Sequence, residues 1–416
     1  MRSLLIFLFS LNLSASEVSF REVLNELVAR DTKVPRQEAR VDSADSRLLS
    51  QRLGFLPQIT TGYGTTDSSS SFDRTNRLFL AAELNLFRGG TDMSRLSAQS
   101  SQVNSDRALR EDLILKAEFD SAELLFTYLE ALNRRRIFNE LMKIKQESLD
   151  VIKLRSRRGL VPAPEVLKAE IDWQNARAQF LAAETELERR KNFLQEALGH
   201  LNINSKWPMN TDLLKIELKN LEDSKANLSD RPDLQARQSE IERDRYRLQA
   251  SKRDFFPKLD LSYTWQRQGR EDFEQNERVM MLNLTFPLFD GWKSMAAYKD
   301  EVANMTASTY QYIESERAAR AQLESSQKNL KVLIQTARER DRTLELSRRL
   351  FEDNFKRYEE GRVTVNDLQV DQNRLLDTEL LANRGWLDAH IGVVSYCHAK
   401  GTRLFSCLSD LGVQSE

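Results

Sequence analysis

The side chains able to do chemistry are few. The chain holds three histidines and two cysteines in 416 residues. No C-x-x-C or H-E-x-x-H spacing occurs, so no metal site is supported around Cys397, His398 and Cys407. An oxidising compartment permits a Cys397–Cys407 disulfide, and two free thiols fit equally well. There is no nucleophile motif and no Gly-rich phosphate loop, so neither an enzyme nor a cofactor is expected. Lys plus Arg is 62 and Asp plus Glu is 63. A balanced charge leaves no basic footprint for nucleic acid. Two short turn segments, by contrast, each place an acid in the first turn of the following helix: Glu165 after Pro164, and Asp367 after Asn366. The helix macrodipole favours a carboxylate there. Copies of such acids around a symmetry axis would ring a narrow aperture, attracting cations and repelling anions. Tyr358 continues an apolar heptad seam yet carries a hydroxyl. It is expected to pack by its ring and hydrogen-bond Glu165.

The elements that position these turns are unusual. Only 14 Gly and 8 Pro occur in the chain, and neither appears from Thr91 to Arg157 or from Trp292 to Glu360. Such a run as one helix is about 100 Å long at about 1.5 Å per residue. That length implies coiled-coil packing. Val166, Trp173, Phe180, Leu187 and Leu194 recur every seven residues, with Ala169, Ala176, Ala183 and Ala197 three positions later. Leu323, Leu330, Ala337, Leu344, Phe351 and Tyr358 form a second seam. Hydrophobic residues are 40% and charged residues 30% of the chain, a globular rather than disordered balance.

Four segments alternate with period two and predict strands at about 57–67, 77–87, 257–267 and 278–288. Leu78, Leu80, Ala82, Leu84 and Leu86 oppose Arg77, Glu83 and Asn85. Leu259, Leu261, Tyr263 and Trp265 oppose Asp260, Ser262, Thr264 and Gln266. Met280, Leu282, Leu284, Phe286 and Leu288 oppose Met281, Asn283 and Thr285. The first strand is weaker, because Gly62 and Gly64 interrupt it. About ten residues each is the length that crosses an outer membrane when tilted. The polar hairpin connections DSSSSFDRTN and RQGREDFEQN suit an extracellular surface.

The chain also repeats. GFLPQITTGYGTT near Gly54 matches DFFPKLDLSYTWQ near Asp254, with Pro57 on Pro257. LNLFRGG matches FPLFDGW, and RRGLVPAPEVLKAE matches EEGRVTVNDLQVDQ; one offset superposes Phe87 on Phe289 and Gly159 on Gly361. Matches in one order indicate two halves of one plan. Residues 17–215 form the first half: two strands, long helix 91–157, tip 158–164 and helix 165–198. Residues 216–416 form the second: two strands, long helix 292–360, tip 361–365, helix 366–396 and a C-terminal segment. Ahead of both, Arg2, the apolar run Leu4 to Leu13 and the small Ser14, Ala15 and Ser16 read as a signal peptide over 1–16.

Four amphipathic strands cannot close a barrel, and unpaired edges in lipid cost several kcal/mol per group. Strands from several copies must combine; three copies give twelve. Asp260 and Glu83, with Asn85 and Asn283, then face the lumen. Tyr63, Tyr263 and Trp265 face lipid near an aromatic girdle.

The order strand hairpin, very long helix, turn, helix, twice over, resembles the TolC-like family of outer-membrane factors. The segments RRGLVPAPEVLKAEIDWQNARAQF and RYEEGRVTVNDLQVDQNRLLDTEL resemble that family's helical tips, and the likeness spans about residues 20–400. It implies a mainly α fold with a small β part: an α-barrel of antiparallel coiled-coil helices plus strands contributed to a trimeric twelve-stranded transmembrane β-barrel. It implies an outer-membrane channel reaching into the periplasm, a passive duct in tripartite efflux or type I secretion. It also implies a periplasmic adaptor and an inner-membrane pump of RND or ABC type as partners. Family tips carry an acid six positions after the turn glycine, matching Glu165 after Gly159 and Asp367 after Gly361. The tip tyrosine matches Tyr358. The family's latch arginine, two positions after the second glycine, falls on Val363, with Arg362 one residue earlier. A second constriction aspartate falls on Val370, with Asp371 next to it. The competing reading is a structural or adhesive coiled-coil protein, which has no need of duplicated strand pairs.

Overall fold

A computed structural model describes residues 20–68, 73–199, 228–270 and 273–411. The expected leader over 1–16 and the boundary between halves near 215 lie outside these residues. In chain order the described elements are helices α1 (Phe20–Arg30) and α2 (Lys33–Leu53), strands β1 (Gln58–Ser68) and β2 (Asp73–Arg88), and helices α3 (Thr91–Arg157) and α4 (Ala163–Leu198). Then follow helix α5 (Pro232–Arg253), strands β3 (Lys258–Arg270) and β4 (Phe273–Thr285), and helices α6 (Lys293–Glu359), α7 (Val365–Lys400) and α8 (Leu404–Asp410). Helices α3 and α6 have 67 residues each, the outcome of breaker-free runs with an apolar seam.

The chain divides into two compact units. One contains the sheet, α2, α5 and the starts of α3 and α6. The strands pair antiparallel in the order β1-β2-β3-β4, leaving β1 and β4 as edges. Direct partners share a face. Asn85, Asp260 and Asn283 form one row, and Glu83, Ser262 and Met281 the next on the same face. Leu84, Leu261 and Leu282 share the opposite face with Ala82, Tyr263 and Met280. The hairpin strands run further than expected, β2 starting at Asp73 and β3 reaching Arg270; polar side chains do not stop a ladder whose partner is at hand. β4 stops at Thr285 rather than near 288. Pro287 carries no N–H to continue it. A bulge between Asn85 and Phe87 also alters the expected faces. The extra residue puts Phe87, not Leu86, opposite Leu259. Beneath the sheet, Asp244 of α5 is buried and paired with Arg243 at 2.7 Å, and Arg243 also donates to Gln102 Oε1 of α3 at 2.8 Å. Burial opposes ionisation of Asp244, but hydrogen bonds from Arg243 and Ser308 outweigh it and hold the carboxyl below its ordinary range.

The other unit is helical: α1, α4, α7, α8 and the later parts of α3 and α6. The predicted alanines Ala169, Ala176 and Ala183 of α4 are buried, as are Leu330 and Ala337 of α6, so helices approach closely along the seam. Helix α7 extends to Lys400, beyond the expected 396. A Cys397–Cys407 disulfide ties α8 to it, and Glu118 of α3 accepts hydrogen bonds from Arg403 Nη1 at 2.7 Å and the Leu404 amide at 3.1 Å.

Both long helices end alike. Gly159 and Gly361 hold φ of 73° and 78°, and the next amide reaches back five residues: Leu160 to the Arg155 carbonyl, Arg362 to that of Arg357. This is a Schellman cap, which places a left-handed residue after the helix. A substitution to alanine at either glycine should therefore cost on the order of 1 kcal/mol, read as a lower denaturant midpoint. Gly361→Ala should cost more, because its Cβ would stand 3.1 Å from Arg155 Nη2 while Gly159 faces open space. Unchanged midpoints for both variants would contradict this account of the turns.

Candidate functional site: the paired turns and the polar sheet face

The two turns meet in one apolar cluster of the helical unit. Leu149, Ile152, Val161, Ala169, Tyr358, Val365 and Leu368 are buried there, with Val166 and Val363 packed against them. Val161 and Val166 flank the start of α4, and Val363 and Leu368 flank that of α7, the spacing of a hydrophobic staple. Pro164 lies in the first turn of α4, where its missing N–H costs nothing. At α7, Thr364 and Asp367 form a reciprocal capping box: the Asp367 amide donates to Thr364 Oγ1 at 3.2 Å and the Thr364 amide donates to the Asp367 carboxylate at 3.4 Å, with Thr364 Oγ1 also donating to that carboxylate at 2.6 Å. Asp367 is exposed and Glu165 half-buried; Asp367 caps α7, whereas Glu165 makes no cap hydrogen bond and complements the dipole of α4 from its first turn.

The expected Tyr358–Glu165 hydrogen bond is absent. Tyr358 is buried, and its hydroxyl has no hydrogen-bond partner among the described residues. Arg155 takes that place by another route. Its guanidinium lies 4.9 Å from the Tyr358 ring centroid, and its Nη1 donates to the Tyr358 carbonyl at 2.9 Å. The cation thus stacks on the ring and caps the C-terminus of α6, two favourable placements at once. Burial pushes the Tyr358 phenol pKa up, Arg155 opposes that, and Glu165 adds to it.

The remaining predicted tip residues divide. Arg362 is exposed and pairs with Glu360 at 3.3 Å, leaving it far from a latching role inside the chain. Asp371 is buried rather than presented to an aperture: it accepts from Asn354 Nδ2 at 2.6 Å and pairs with Arg374 at 3.2 Å. Its neighbour Val370 is exposed. Sequence reasoning missed Arg155 and Lys145. The signal for Arg155 was in the duplication, since Arg155 and Arg357 each stand four residues before a turn glycine. Lys145 is buried among the helices, with Asn373 Oδ1 at 3.4 Å. Burial pushes its pKa down, against the pull of Asp172. No periodicity marks a lysine as buried.

On the sheet, the polar face gathers Asn85, Arg88, Asp260 and Asn283. Arg88 donates to Asn85 Oδ1 at 2.5 Å and approaches Asp260 at 3.8 Å. Glu83 stands on the same face. Tyr63, Tyr263 and Trp265 stand on the other: Tyr263 opposes Ala82, Trp265 opposes Leu80, and Tyr63 opposes Leu78. That apolar face is exposed, with Ile59 at 70%, Leu282 at 62% and Leu284 at 70%. Among the described residues no helix is long and apolar enough to cross a membrane, and no group of His, Cys, Asp and Glu could hold a metal ion.

An amphipathic sheet with open edges and two 67-residue helices ended by like turns characterise the chain. Residues 23–200 and 224–389 match the family model of outer membrane efflux proteins, and the chain belongs to that family. As a member it is an outer membrane efflux protein, and members of that family are passive channels rather than enzymes. Family members work with adaptor proteins and inner-membrane pumps. No curated protein matched the chain by sequence. Its fold is similar to that of CusC, described as forming a transmembrane channel, at TM-score 0.81 and 15% identity over 95% of this chain and 96% of that one. It is similar to VceC, an outer membrane protein of Vibrio cholerae, at 0.78 and 14% over 92% and 96%. It is also similar to the open-state MtrE channel of Neisseria gonorrhoeae, at 0.78 and 18% over 92% and 89%.

If Arg155 holds the two turns together, Arg155→Ala should raise the open fraction of the channel in planar bilayers. Tyr358→Phe should leave it unchanged, because the lost hydroxyl has no partner to forfeit. The reverse pattern would return the hold to the hydroxyl.

Proposed function

We propose that three copies of this chain form a passive exit duct of a tripartite efflux or type I secretion system. One observation supports this above others: an amphipathic four-stranded sheet whose two edge strands have no strand partner among the described residues. Three such sheets make twelve strands, an even number within the range of outer-membrane barrels. The row Asn85, Asp260 and Asn283, with Glu83, then lines the lumen. The row Leu84, Leu261 and Leu282 meets hydrocarbon, and Tyr63, Tyr263 and Trp265 stand toward a membrane interface. Glu165 and Asp367, repeated about the threefold axis, give the closed end two rings of carboxylates that favour cations. An inner-membrane pump of RND or ABC type, joined through a periplasmic adaptor, supplies energy and selects cargo; the duct does neither.

In outer-membrane fractions the protein should migrate as a heat-modifiable oligomer on a mildly denaturing gel, and the purified oligomer should conduct ions. Leu282→Arg should destabilise the barrel by about 2–4 kcal/mol near the membrane midplane, whereas Asn283→Arg should be tolerated in a wet lumen. Equal tolerance at both positions would sink the assignment of faces. A monomer that conducts nothing would favour the structural coiled-coil reading instead.

A further inference from the structure

The chain carries two versions of one joint, and only one is filled. In the first, the connection from β2 into α3 is packed by the turn between α5 and β3. A Cβ on Gly89 would stand 2.6 Å from the Phe256 Cβ. Arg253 Nη1 donates to the Gly90 carbonyl at 2.9 Å and to Ser94 Oγ at 2.6 Å, and Arg95 pairs with Asp254 at 3.6 Å.

The duplication supplies the second version. Placing Phe289 on Phe87 puts Gly291, Trp292, Ala296 and Ala297 where Gly89, Gly90, Ser94 and Arg95 stand. Placing Pro57 on Pro257 puts Leu53, Gly54 and Leu56 where Arg253, Asp254 and Phe256 stand. The two hairpins bear this out independently: Gln58 opposite Glu83 and Lys258 opposite Thr285 are the same pair under these superpositions. Yet among the described residues nothing fills the second joint. No atom lies within 4 Å of a Cβ on Gly291. Leu53 and Leu56 are exposed, as are Leu288 at 87%, Phe289 at 77% and Trp292 at 70%. Its two sides flank β1 and β4, the opposite edges of the sheet.

We propose that a second copy of this chain fills the joint: its Leu53 and Leu56 close over Gly291, Trp292 and Ala296, and β4 lengthens to Phe289 along its β1. This rests on the trimer reading above and deepens it to named contacts. The in-chain register sets the pairs. Ala81 opposite Thr264 translates to Asn283 opposite Gly64 of the second copy, and Glu83 opposite Ser262 to Thr285 opposite Gly62. Beyond the bulge, Phe87 opposite Leu259 translates to Phe289 opposite Ile59. Each pair keeps polar face with polar face and apolar with apolar, whereas a one-residue slip would reverse every side chain. Pro287 takes the place of Asn85 at the bulge, where a missing N–H is tolerated. The chemistry changes between versions. The Arg253 clasp and the Arg95–Asp254 ion pair become leucine, tryptophan and alanine, so the joint between copies is held by apolar burial and resists salt.

The test places Leu56→Cys and Trp292→Cys in one chain, leaving the native disulfide intact, and treats the oligomer with a short bifunctional thiol reagent. Covalent dimers and trimers on a denaturing gel are expected. Gly90→Cys with Phe256→Cys, the in-chain version, should link without a ladder. Absence of the ladder from an oligomer of trimer size overturns this joint and leaves the trimer standing. Absence of a trimer in the parent protein overturns both. In the unmodified oligomer, amides of Leu288 and Phe289 should exchange on the order of 100-fold more slowly than free-peptide rates. Free-peptide rates there would overturn the strand extension even if the cysteine variant failed to assemble.

Discussion

Backbone amides and carbonyls at the open edges of a sheet set the terms for this molecule. In water, β1 and β4 could bond solvent. In hydrocarbon each orphaned group costs several kcal/mol. The apolar face, with Ile59, Leu282 and Leu284 exposed, has no covering layer among the described elements of its own unit. In the proposed assembly the sheet faces lipid and loses its edges by joining other copies of itself. The even alternation of its faces is what makes such joining register-specific.

The breaker-free runs of α3 and α6 give the chain two helices of 67 residues each. Alanine in the seam lets α4 approach, and identical Schellman turns reverse both long helices. Arg155 then binds the first turn to the second through the Tyr358 carbonyl and ring. A contact between halves at the turns is thus built from main-chain geometry and one cation rather than from paired acids.

Much of this was legible in the sequence, because it rests on periodicity. The seven-residue spacing of Val166 to Leu194, the period two of Leu259 to Trp265, and the turn glycines are local signals, and each has a direct structural consequence. The bulge at Asn85 and Phe87 was not legible, since one extra residue leaves the alternation on either side intact. The role of Tyr358 was misread, because sequence offers its hydroxyl but not the carbonyl three-dimensionally adjacent to Arg155. Asp371 shows the same limit: its carboxylate faces Asn354, seventeen residues away, a partnership fixed by how α6 packs on α7. The leader and the junction of the halves lie outside the described residues.

The central claim is that the edges close only between copies. Native mass spectrometry of the detergent-extracted protein tests it most directly. The account predicts a single species of three chains, with no folded monomer at concentrations where the trimer persists. A stable monomer whose β1 and β4 amides are protected from exchange would contradict it, because those edges would then have found partners without a second copy.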